Sequence, residues 1–348
     1  MRGFLVAFIL ISAGCGSSVP IDEPPPQPKK AYSGLFPVAK DRKWGFIDRA
    51  GKVAIAPTFD YAEKFVDERA LVLIGGKIGY IDVAGTVVIP PRYDPSPGFP
   101  ARNRASTFAD GLARVQGNGR DGYIDRHGVE AIGTNFVDAG DFSEGRAAVR
   151  TDFGGLFGYV DRTGKLAIPA QFEQVGSFSE GVAWVKSEGK FGYIKPDGSF
   201  AIPLKFEWAD DFREGRAHVK METPQGFRSG YINAKGEVVI PPNFFASGGF
   251  SEGLASYGIR LERGYINRAG AVVFRLPQVG PDIGRFSEGL ALIRDDGKYG
   301  YIDKSGALAI PLQFEHAEPF ADGLAYVRVA DDWAYIDAKG KQVWNSKR

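Results

Sequence analysis

The three histidines of this sequence are the first place to look for catalytic or metal chemistry. They are His127, His218 and His316, and they fall at three different phases of a repeating pattern. No two have the spacing of metal ligands, and the only cysteine, Cys15, lies far away near the N-terminus. A zinc site or a nucleophilic triad needs partners that converge on one point. The sequence therefore predicts no metal, no cofactor and no catalytic residue.

Carboxylates recur at one fixed position, before the glycine of a Phe-x-Glu-Gly turn. They stand at Glu144, Glu180, Glu214, Glu252 and Glu288, with Asp110 and Asp322 in the same place in two further copies. Such a row could form an acidic column that binds calcium or a basic ligand, or it could cap turns by accepting backbone N–H bonds. A catalytic acid pair needs one special environment. Because these carboxylates are repeated, we favour turn capping.

A row of aromatic residues recurs in phase with the carboxylates. Its members are Phe46, Tyr80, Tyr123, Tyr159, Tyr193, Tyr231, Tyr265, Tyr301 and Tyr335. Stacked on neighbouring sheets, they could form a ladder that binds sugars or peptides. Buried packing is the commoner role of such a row, and the sequence favours it here.

Two insertions interrupt the repeat, at residues 95–104 and 221–228. Insertions in repeat arrays form loops, which often lie on the binding face. The candidate ligand contacts are therefore Phe99, Arg102, Arg104, Phe227 and Arg228. The alternative is tolerated drift in loop length, which costs little stability.

These residues are positioned by a repeating unit that begins at about residue 31. Its marker is Gly-aromatic-Ile-Asp, which starts at Gly45, Gly79, Gly122, Gly158, Gly192, Gly230, Gly264 and Gly300, with Ala334 in the ninth copy. Each unit has two short apolar segments, an Asp-x-x-Gly turn and a third segment that mostly ends at Ile-Pro. This pattern predicts a three-stranded antiparallel meander. A period in this range indicates stacked repeats, because one such sheet is barely stable alone.

The sequence thus predicts an all-β fold, a tandem array of about nine three-stranded meanders. Neither end of the repeat region looks like part of a split unit that needs the other end to complete it. We therefore favour a curved or superhelical open array, with a closed β-propeller-like ring as the alternative.

The repeat resembles the bacterial WG-repeat family. The resemblance rests on Trp44-Gly45-Phe46-Ile47-Asp48 together with the later Phe-Ser-Glu-Gly-Leu-Ala motif, and it covers about residues 31–344. The Trp-Gly pair itself occurs only at Trp44. Members of that family are described as interaction modules, so the resemblance implies binding.

The N-terminus has the pattern of a secretory signal. Arg2 precedes an apolar run over residues 4–11, which is too short for a permanent membrane span. Ala13-Gly14-Cys15 resembles a bacterial lipoprotein signal, which implies a lipid on Cys15, and Gly16 after it implies the outer membrane. The alternative is an ordinary signal peptide. The predicted organisation is a signal peptide over 1–14, a Pro/Ser-rich tethered linker over 15–31 and the repeat domain over 32–348.

Charge limits the partners. The chain has 43 basic and 42 acidic residues, interspersed along its length. A nucleic-acid binder needs a positive footprint, so we expect no nucleic-acid partner. The sequence predicts a monomeric, non-catalytic scaffold in the bacterial envelope, held to the membrane only by its N-terminal lipid. It would face the periplasm or the cell surface and bind an unknown protein or a peptidoglycan-type glycan. The alternative is an envelope-polymer hydrolase with its site in an insertion loop.

Overall fold

The protein is a ring of nine small antiparallel β-sheets. The computed structural model describes residues 34–95, 107–244, 246–259, 262–276 and 282–347, and these ranges contain no helix. Successive strands are neighbours in every sheet, so each sheet is a meander. The all-β class and the nine predicted repeats are confirmed, with one repeat in each sheet.

We number the sheets 1 to 9 along the chain. Two of them have three strands in the described residues: sheet 1 (β1 Phe36–Lys40, β2 Lys43–Ile47, β3 Val53–Phe59) and sheet 3 (β8 Leu112–Gly117, β9 Arg120–Asp125, β10 Glu130–Phe136).

The other seven sheets begin with an additional two-residue or six-residue strand. They are sheet 2 (β4 Tyr61–Ala62, β5 Ala70–Ile74, β6 Lys77–Ile81, β7 Val87–Tyr93), sheet 4 (β11 Asp138–Ala139, β12 Arg146–Arg150, β13 Phe157–Asp161, β14 Leu166–Phe172), sheet 5 (β15 Gln174–Val175, β16 Ala183–Ser187, β17 Lys190–Ile194, β18 Phe200–Phe206), sheet 6 (β19 Trp208–Ala209, β20 Ala217–Thr223, β21 Gly226–Ile232, β22 Val238–Phe244), sheet 7 (β23 Ala246–Ser247, β24 Leu254–Ile259, β25 Glu262–Asn267, β26 Val272–Leu276), sheet 8 (β27 Asp282–Ser287, β28 Leu290–Asp295, β29 Lys298–Asp303, β30 Leu308–Phe314) and sheet 9 (β31 His316–Ala317, β32 Leu324–Val329, β33 Asp332–Asp337, β34 Gln342–Asn345). The repeat unit is thus a four-stranded meander, and the prediction of three strands missed the short first one.

The predicted turns join the last two strands of each sheet: six are Asp-x-x-Gly, those of sheets 6 and 7 begin with Asn233 and Asn267, and that of sheet 5 is Lys195-Pro196-Asp197-Gly198. In sheet 1, Asp48 Oδ1 accepts hydrogen bonds from the N–H groups of Ala50 and Lys52, both at 2.9 Å. Gly51 closes the turn with φ of 81°, a conformation that favours glycine. The turn chemistry inferred from the sequence is confirmed.

The glycine of the Gly-aromatic-Ile-Asp motif allows two strands to approach closely. A Cβ atom on Gly158 would lie 2.5 Å from the carbonyl oxygen of Ile168 and 2.8 Å from the nitrogen of Ala170. The strand register shifts at this point, so the partner strand bulges over the glycine. In sheet 9 alanine replaces this glycine, and Ala334 pairs in direct register with Asn345 on the partner strand.

The aromatic row forms the contacts between neighbouring sheets. Tyr193 is fully buried, and its ring lies 5.0 Å from that of Phe212 in the next sheet. Its hydroxyl donates a hydrogen bond of 2.7 Å to the backbone oxygen of Asp210. Equivalent bonds are made by Tyr123, Tyr159, Tyr231, Tyr265 and Tyr301. The prediction of core packing is confirmed, and the row is not a surface ladder.

The ring closes between sheets 9 and 1, so the favoured open array is wrong and the alternative is correct. Tyr335 donates to the backbone oxygen of Pro37 on β1 at 3.0 Å, whereas the hydroxyls of Tyr123, Tyr193 and Tyr301 bond to a residue just after the short first strand of the next sheet. A Cβ on Gly51 would lie 2.4 Å from the oxygen of Val343, so the first and last sheets touch. The closure needs no shared strand, because sheet 9 offers sheet 1 the same face that every sheet offers the next. Intact terminal repeats therefore could not exclude a ring.

Phe36 adapts sheet 1 to this closure. In the other eight sheets the same position on the strand holds alanine, at Ala70, Ala113, Ala147, Ala183, Ala217, Ala255, Ala291 and Ala325. Elsewhere the buried Tyr packs on a Phe that precedes the strand, as Tyr301 does on Phe320 at 4.8 Å. Phe36 supplies that ring from within the strand, 5.3 Å from the ring of Tyr335.

Closure predicts a cross-link between residues far apart in sequence. Lys64 Nζ lies 3.0 Å from Glu318 Oε2, which joins sheet 2 to sheet 9 across sheet 1. A zero-length carbodiimide reagent is expected to join these two side chains within one chain, as detected by peptide mass spectrometry.

The internal control for this experiment is the pair Lys304 and Glu252, also at 3.0 Å, which joins sheets 7 and 8. Formation of the 252–304 product without the 64–318 product would contradict the closed ring.

Candidate functional site

The Phe-x-Glu-Gly or Phe-x-Asp-Gly turns of five successive sheets, 3 to 7, meet around one cavity. Its volume is about 1020 Å³. The wall includes the repeated acidic residues Asp110, Glu144, Glu180 and Glu214, together with Asp211, whose position varies in residue type from sheet to sheet. A concave space with convergent polar groups is the first candidate for a binding site.

Each of these turns is a two-residue hairpin with a left-handed backbone. In sheet 5, Glu180 and Gly181 have φ of 54° and 84°. Ser179 and Val182 close the hairpin through backbone bonds in both directions. Two successive positive φ values define a type I′ turn, whose twist matches that of the strands it joins. Glycine suits the second position, and the glutamate at the first is held by contacts outside its own sheet.

The turn carboxylates form a hydrogen-bonded ladder from sheet to sheet. Glu180 Oε2 accepts from the N–H of Gly215 in sheet 6 at 2.9 Å, and Ser179 Oγ donates to the oxygen of Phe212 at 2.8 Å. The same carboxylate bond links Asp110 to Gly145, Glu144 to Gly181, Glu214 to Gly253, Glu252 to Gly289 and Glu288 to Gly323. The predicted capping chemistry is right, but the turn that is capped belongs to the next repeat.

Removal of one ladder carboxylate is expected to destabilise the ring. Glu180→Ala leaves the exposed N–H of Gly215 to water in place of its carboxylate acceptor, which should cost about 0.5 to 1.5 kcal/mol of unfolding free energy. Glu180→Gln is the matched control, because its amide oxygen can still accept the bond. Denaturant unfolding measures both, and equal losses in the two variants would refute the hydrogen-bond explanation.

The charge of the ladder is neutralised unevenly. Burial alone would raise the pKa of Glu214, but hydrogen bonds from Arg268 and Gly253 lower it below its ordinary value. The position of Arg268 in its turn is occupied by Pro196 in sheet 5 and Ala234 in sheet 6, which carry no charge. Pro196 and Ala234 lie in the sheets after those of Glu144 and Glu180, just as Arg268 lies in the sheet after that of Glu214. Neither can neutralise its glutamate as Arg268 does, so the part of the cavity wall that holds Glu144 and Glu180 is the more acidic one.

Asp211 is the unusual carboxylate of the cavity wall. Its Oδ1 atom is buried without a hydrogen-bond partner, and burial raises the pKa of its carboxyl group. The same position before the turn phenylalanine holds Asp141, Ser177, Gly249, Arg285 and Pro319 in other sheets. This side chain is therefore not required by the repeat, and a perturbed carboxylate in a cavity marks a candidate functional residue.

The raised pKa of Asp211 gives a stability prediction with a definite sign. The folded state disfavours the charged form, so ionised Asp211 lowers stability at neutral pH, and this cost disappears as the group is protonated at acidic pH. Asp211→Asn should therefore raise the melting temperature at pH 7, and the gain should vanish in acid.

Asp197→Asn is the control of opposite sign for this measurement. Hydrogen bonds from Ser199 lower the pKa of the exposed Asp197, so its loss should lower the melting temperature at pH 7. A destabilised Asp211→Asn variant at pH 7 would contradict the burial argument.

The predicted ligand contacts of the second insertion do not lie in a loop. Strands β20 and β21 pair to Thr223 and Gly226, so residues 221–228 lengthen a hairpin and leave only two residues in its turn. Phe227 is exposed (47%), whereas Arg228 is half-buried, points to the opposite face of the strand and donates to the oxygen of Phe227 at 2.8 Å. The insertion forms strand because both of its arms continue the alternating ladder. Cys15, Phe99, Arg102 and Arg104 lie outside the described residues.

Trp208 is an exposed aromatic that the sequence analysis missed. It is 46% exposed, yet its indole N–H donates to Asp210 Oδ1 at 2.8 Å and its ring lies 5.4 Å from that of Phe191. The same place in other sheets holds Tyr61, Asp138, Gln174, Ala246, Asp282 and His316. The repeat has no fixed residue type at this position, so a tryptophan there was the sequence signal that could have identified Trp208.

The histidines do not form a common site. His218 is buried and its Nδ1 lies 2.7 Å from Asp210 Oδ2, so it fixes a side chain of its own sheet. Within the described ranges, no three His, Cys, Asp or Glu side chains are arranged to hold a metal ion. A search of the same residues for a helix long and apolar enough to cross a membrane also finds none.

Comparison with known families identifies the repeat. A family model described as a WG containing repeat matches residues 44–77, 78–94, 122–152, 157–191, 191–222, 230–257, 281–299 and 299–333. The chain belongs to the WG-repeat family. Trp333 occupies the phase of Trp44 in this WG-repeat chain, but it precedes Ala334, so a search for Trp-Gly overlooks it.

Solved structures with similar folds are distant in sequence. A structure described as a eukaryotic initiation factor is 10% identical, with 90% of this chain and 96% of that chain covered and a TM-score of 0.59. Hsv2p of Kluyveromyces lactis is 10% identical over 68% of this chain and 93% of its own, with a TM-score of 0.42. The first likeness supports the fold of the WG-repeat ring and no more. No curated protein sequence matches this chain significantly.

Proposed function

We propose that this WG-repeat chain is a non-catalytic scaffold that binds a protein or a cell-wall glycan. The cavity carries the proposal: its backbone is locked by the hydrogen-bonded ladder, while the side chains before each turn phenylalanine vary. Ser177 and Asp211 occupy that position in two of the sheets that line it. A rigid frame that presents variable side chains around a concave space is typical of binding proteins.

The non-catalytic role is supported by what the repeated polar groups already do. The ladder carboxylates Glu144, Glu180 and Glu288 each accept a backbone hydrogen bond from the next sheet. A general acid or base must be free to exchange a proton with substrate. Proton exchange at these positions would break the contacts that hold the ring together.

The proposal places the ring in the bacterial envelope, tethered by a lipid on Cys15. The Pro-rich linker over residues 15–31 would act as an extended spacer between lipid and ring, and the outer membrane is the expected location. The Cys15→Ala variant should leave the membrane fraction. Unchanged membrane association of that variant would reject the tether without affecting the binding role.

The binding role is tested by capture of partners from envelope extracts with the full chain, before and after peptidoglycan digestion. Asp211→Asn is the cavity variant and Asp197→Asn the control. A binding scaffold should retain one partner, and the cavity variant should weaken its capture while the control does not. The absence of any saturable partner from both extracts would refute the proposal.

A further inference from the structure

One face of sheet 6 carries an exposed stripe of three side chains, which we call the Trp208 stripe. Trp208 on β19 pairs directly with Lys220 on β20. Lys220 pairs in turn with Ser229 on β21, and Phe227 lies two residues before Ser229 on the same face. The stripe Trp208–Lys220–Phe227 therefore crosses three neighbouring strands, with the backbone positions of its two aromatic ends about 12 Å apart.

The Trp208 ring is held in place although nearly half of it is exposed. Asp210 accepts the indole N–H at 2.8 Å, and His218 holds the other oxygen of Asp210 at 2.7 Å. Phe191 packs beside the indole of Trp208, and the ring of Trp184 lies 5.6 Å from the ring of Phe191. A ring fixed before binding loses little conformational entropy when a ligand stacks on it.

Lys220 is the cation at the centre of the stripe. Its Nζ lies 5.8 Å from the centroid of the Phe227 ring. Among the described residues, no carboxylate forms an ion pair with it. Glu222, two residues further along β20 on the same face, is exposed and pairs directly with Phe227. The neighbouring Lys190 and Lys186 are paired with Glu207 and Glu173.

Comparison with the other sheets shows what is different in sheet 6. Arg150 in sheet 4 and Arg294 in sheet 8 occupy the position of Lys220, and each faces an aspartate on the first strand. Asp138 lies 3.0 Å from Arg150, and Asp282 lies 3.9 Å from Arg294. Sheets 5 and 9 have no acid at that place, but Lys186 and Arg328 pair instead with the preceding Glu173 and Glu315. In sheet 6 Trp208 stands opposite Lys220 and the equivalent Glu207 is paired with Lys190, which leaves the charge of Lys220 available to a ligand.

We propose that the Trp208 stripe binds an extended polysaccharide that carries carboxylate groups. Sugar rings would stack their apolar faces on Trp208 and Phe227, and a carboxylate between them would bind Lys220. The charge complementarity favours an acidic over a neutral chain, and the flat stripe suits an extended one. The proposal rests on the binding role proposed above and adds to it a glycan-binding site distinct from the cavity.

The test is titration calorimetry of the full chain with a polyuronate oligosaccharide and with a neutral glucan of equal length. The polyuronate should bind at least tenfold more tightly. Trp208→Ala and Lys220→Ala should each lower its affinity at least tenfold, whereas Lys220→Arg should retain most of it. Phe153→Ala removes an 86% exposed aromatic from sheet 4 and should change nothing.

Three results would overturn the stripe: equal binding of neutral and acidic oligosaccharides, equal losses in Phe153→Ala and Trp208→Ala, or tighter binding of poly-glutamate, which indicates an acidic protein partner. Thermal unfolding of each variant, with Trp208→Phe as the smaller change, separates lost binding from lost folding. If the polyuronate does not bind but the envelope capture still retains a partner, the proposed scaffold role stands and only the glycan-binding role of the Trp208 stripe is rejected.

Discussion

Replacement of Gly158 by alanine is expected to lower the free energy of unfolding by about 3 kcal/mol. The added methyl group would lie 2.5 Å from the oxygen of Ile168 and 2.8 Å from the nitrogen of Ala170. Both atoms belong to the backbone of β14, so no side-chain rotation can relieve the overlap. Relief requires the bulged strand to move away, which breaks its pairing with β13. Urea unfolding followed by tyrosine and tryptophan fluorescence measures the loss.

Gly140→Ala is the matched control for this experiment. Its backbone does not need a positive φ, and the nearest atom to an added Cβ is the Ala148 Cβ at 3.7 Å, an ordinary contact. The carbonyl of Gly140 continues to accept the hydroxyl of Tyr123. We expect a change of less than about 1 kcal/mol. Equal losses at positions 158 and 140 would show that close strand approach is not why the motif uses glycine.

Phe36→Ala is expected to open the ring at one place. The side chain is 4% exposed and packs on Tyr335, so its removal should cost about 3 to 5 kcal/mol. The contact between sheets 9 and 1 has no continuous chain in the described residues to hold it together, unlike a contact such as that between sheets 5 and 6. The variant should lose the 64–318 cross-link and gain fast amide exchange in β1.

The control for Phe36→Ala is Phe212→Ala, which removes an equally buried ring between sheets 5 and 6. It should cost a similar amount of stability but preserve the 64–318 cross-link. Retention of that cross-link in Phe36→Ala, with unchanged exchange in β1, would show that Phe36 does not hold the closure.

The sequence predicted the repeated features well because each repeated residue has a local physical reason. Asp48 and Gly51 specify a turn within four residues, and alternating apolar residues specify strands. The partners of Glu180 and Tyr193 lie in the next sheet. Their chemistry was predictable, but the atoms they bind depend on how the sheets stack.

Ring closure and the stripe were not predictable from the sequence for different reasons. Closure depends on the angle between successive sheets, which no single repeat reveals. Phe36 in a row of alanines was a visible departure, yet its meaning needed the position of Tyr335. The Trp208 stripe combines residues from three strands, two of which are separated by the Pro224-Gln225 turn. Reading that segment as a loop concealed the pairing of Phe227 with its neighbours.

The seam between sheets 9 and 1 also sets the number of repeats that this molecule can contain. Each sheet occupies one ninth of a turn, and Tyr335 reaches Pro37 only after a complete turn. An open solenoid can gain or lose a unit and merely change length. Here the loss of one internal unit leaves a gap that the remaining eight must absorb by bending at every interface. Duplication or deletion of a single repeat should therefore be penalised in this ring, whereas a lengthened hairpin such as the one that carries Phe227 leaves the number of sheets unchanged.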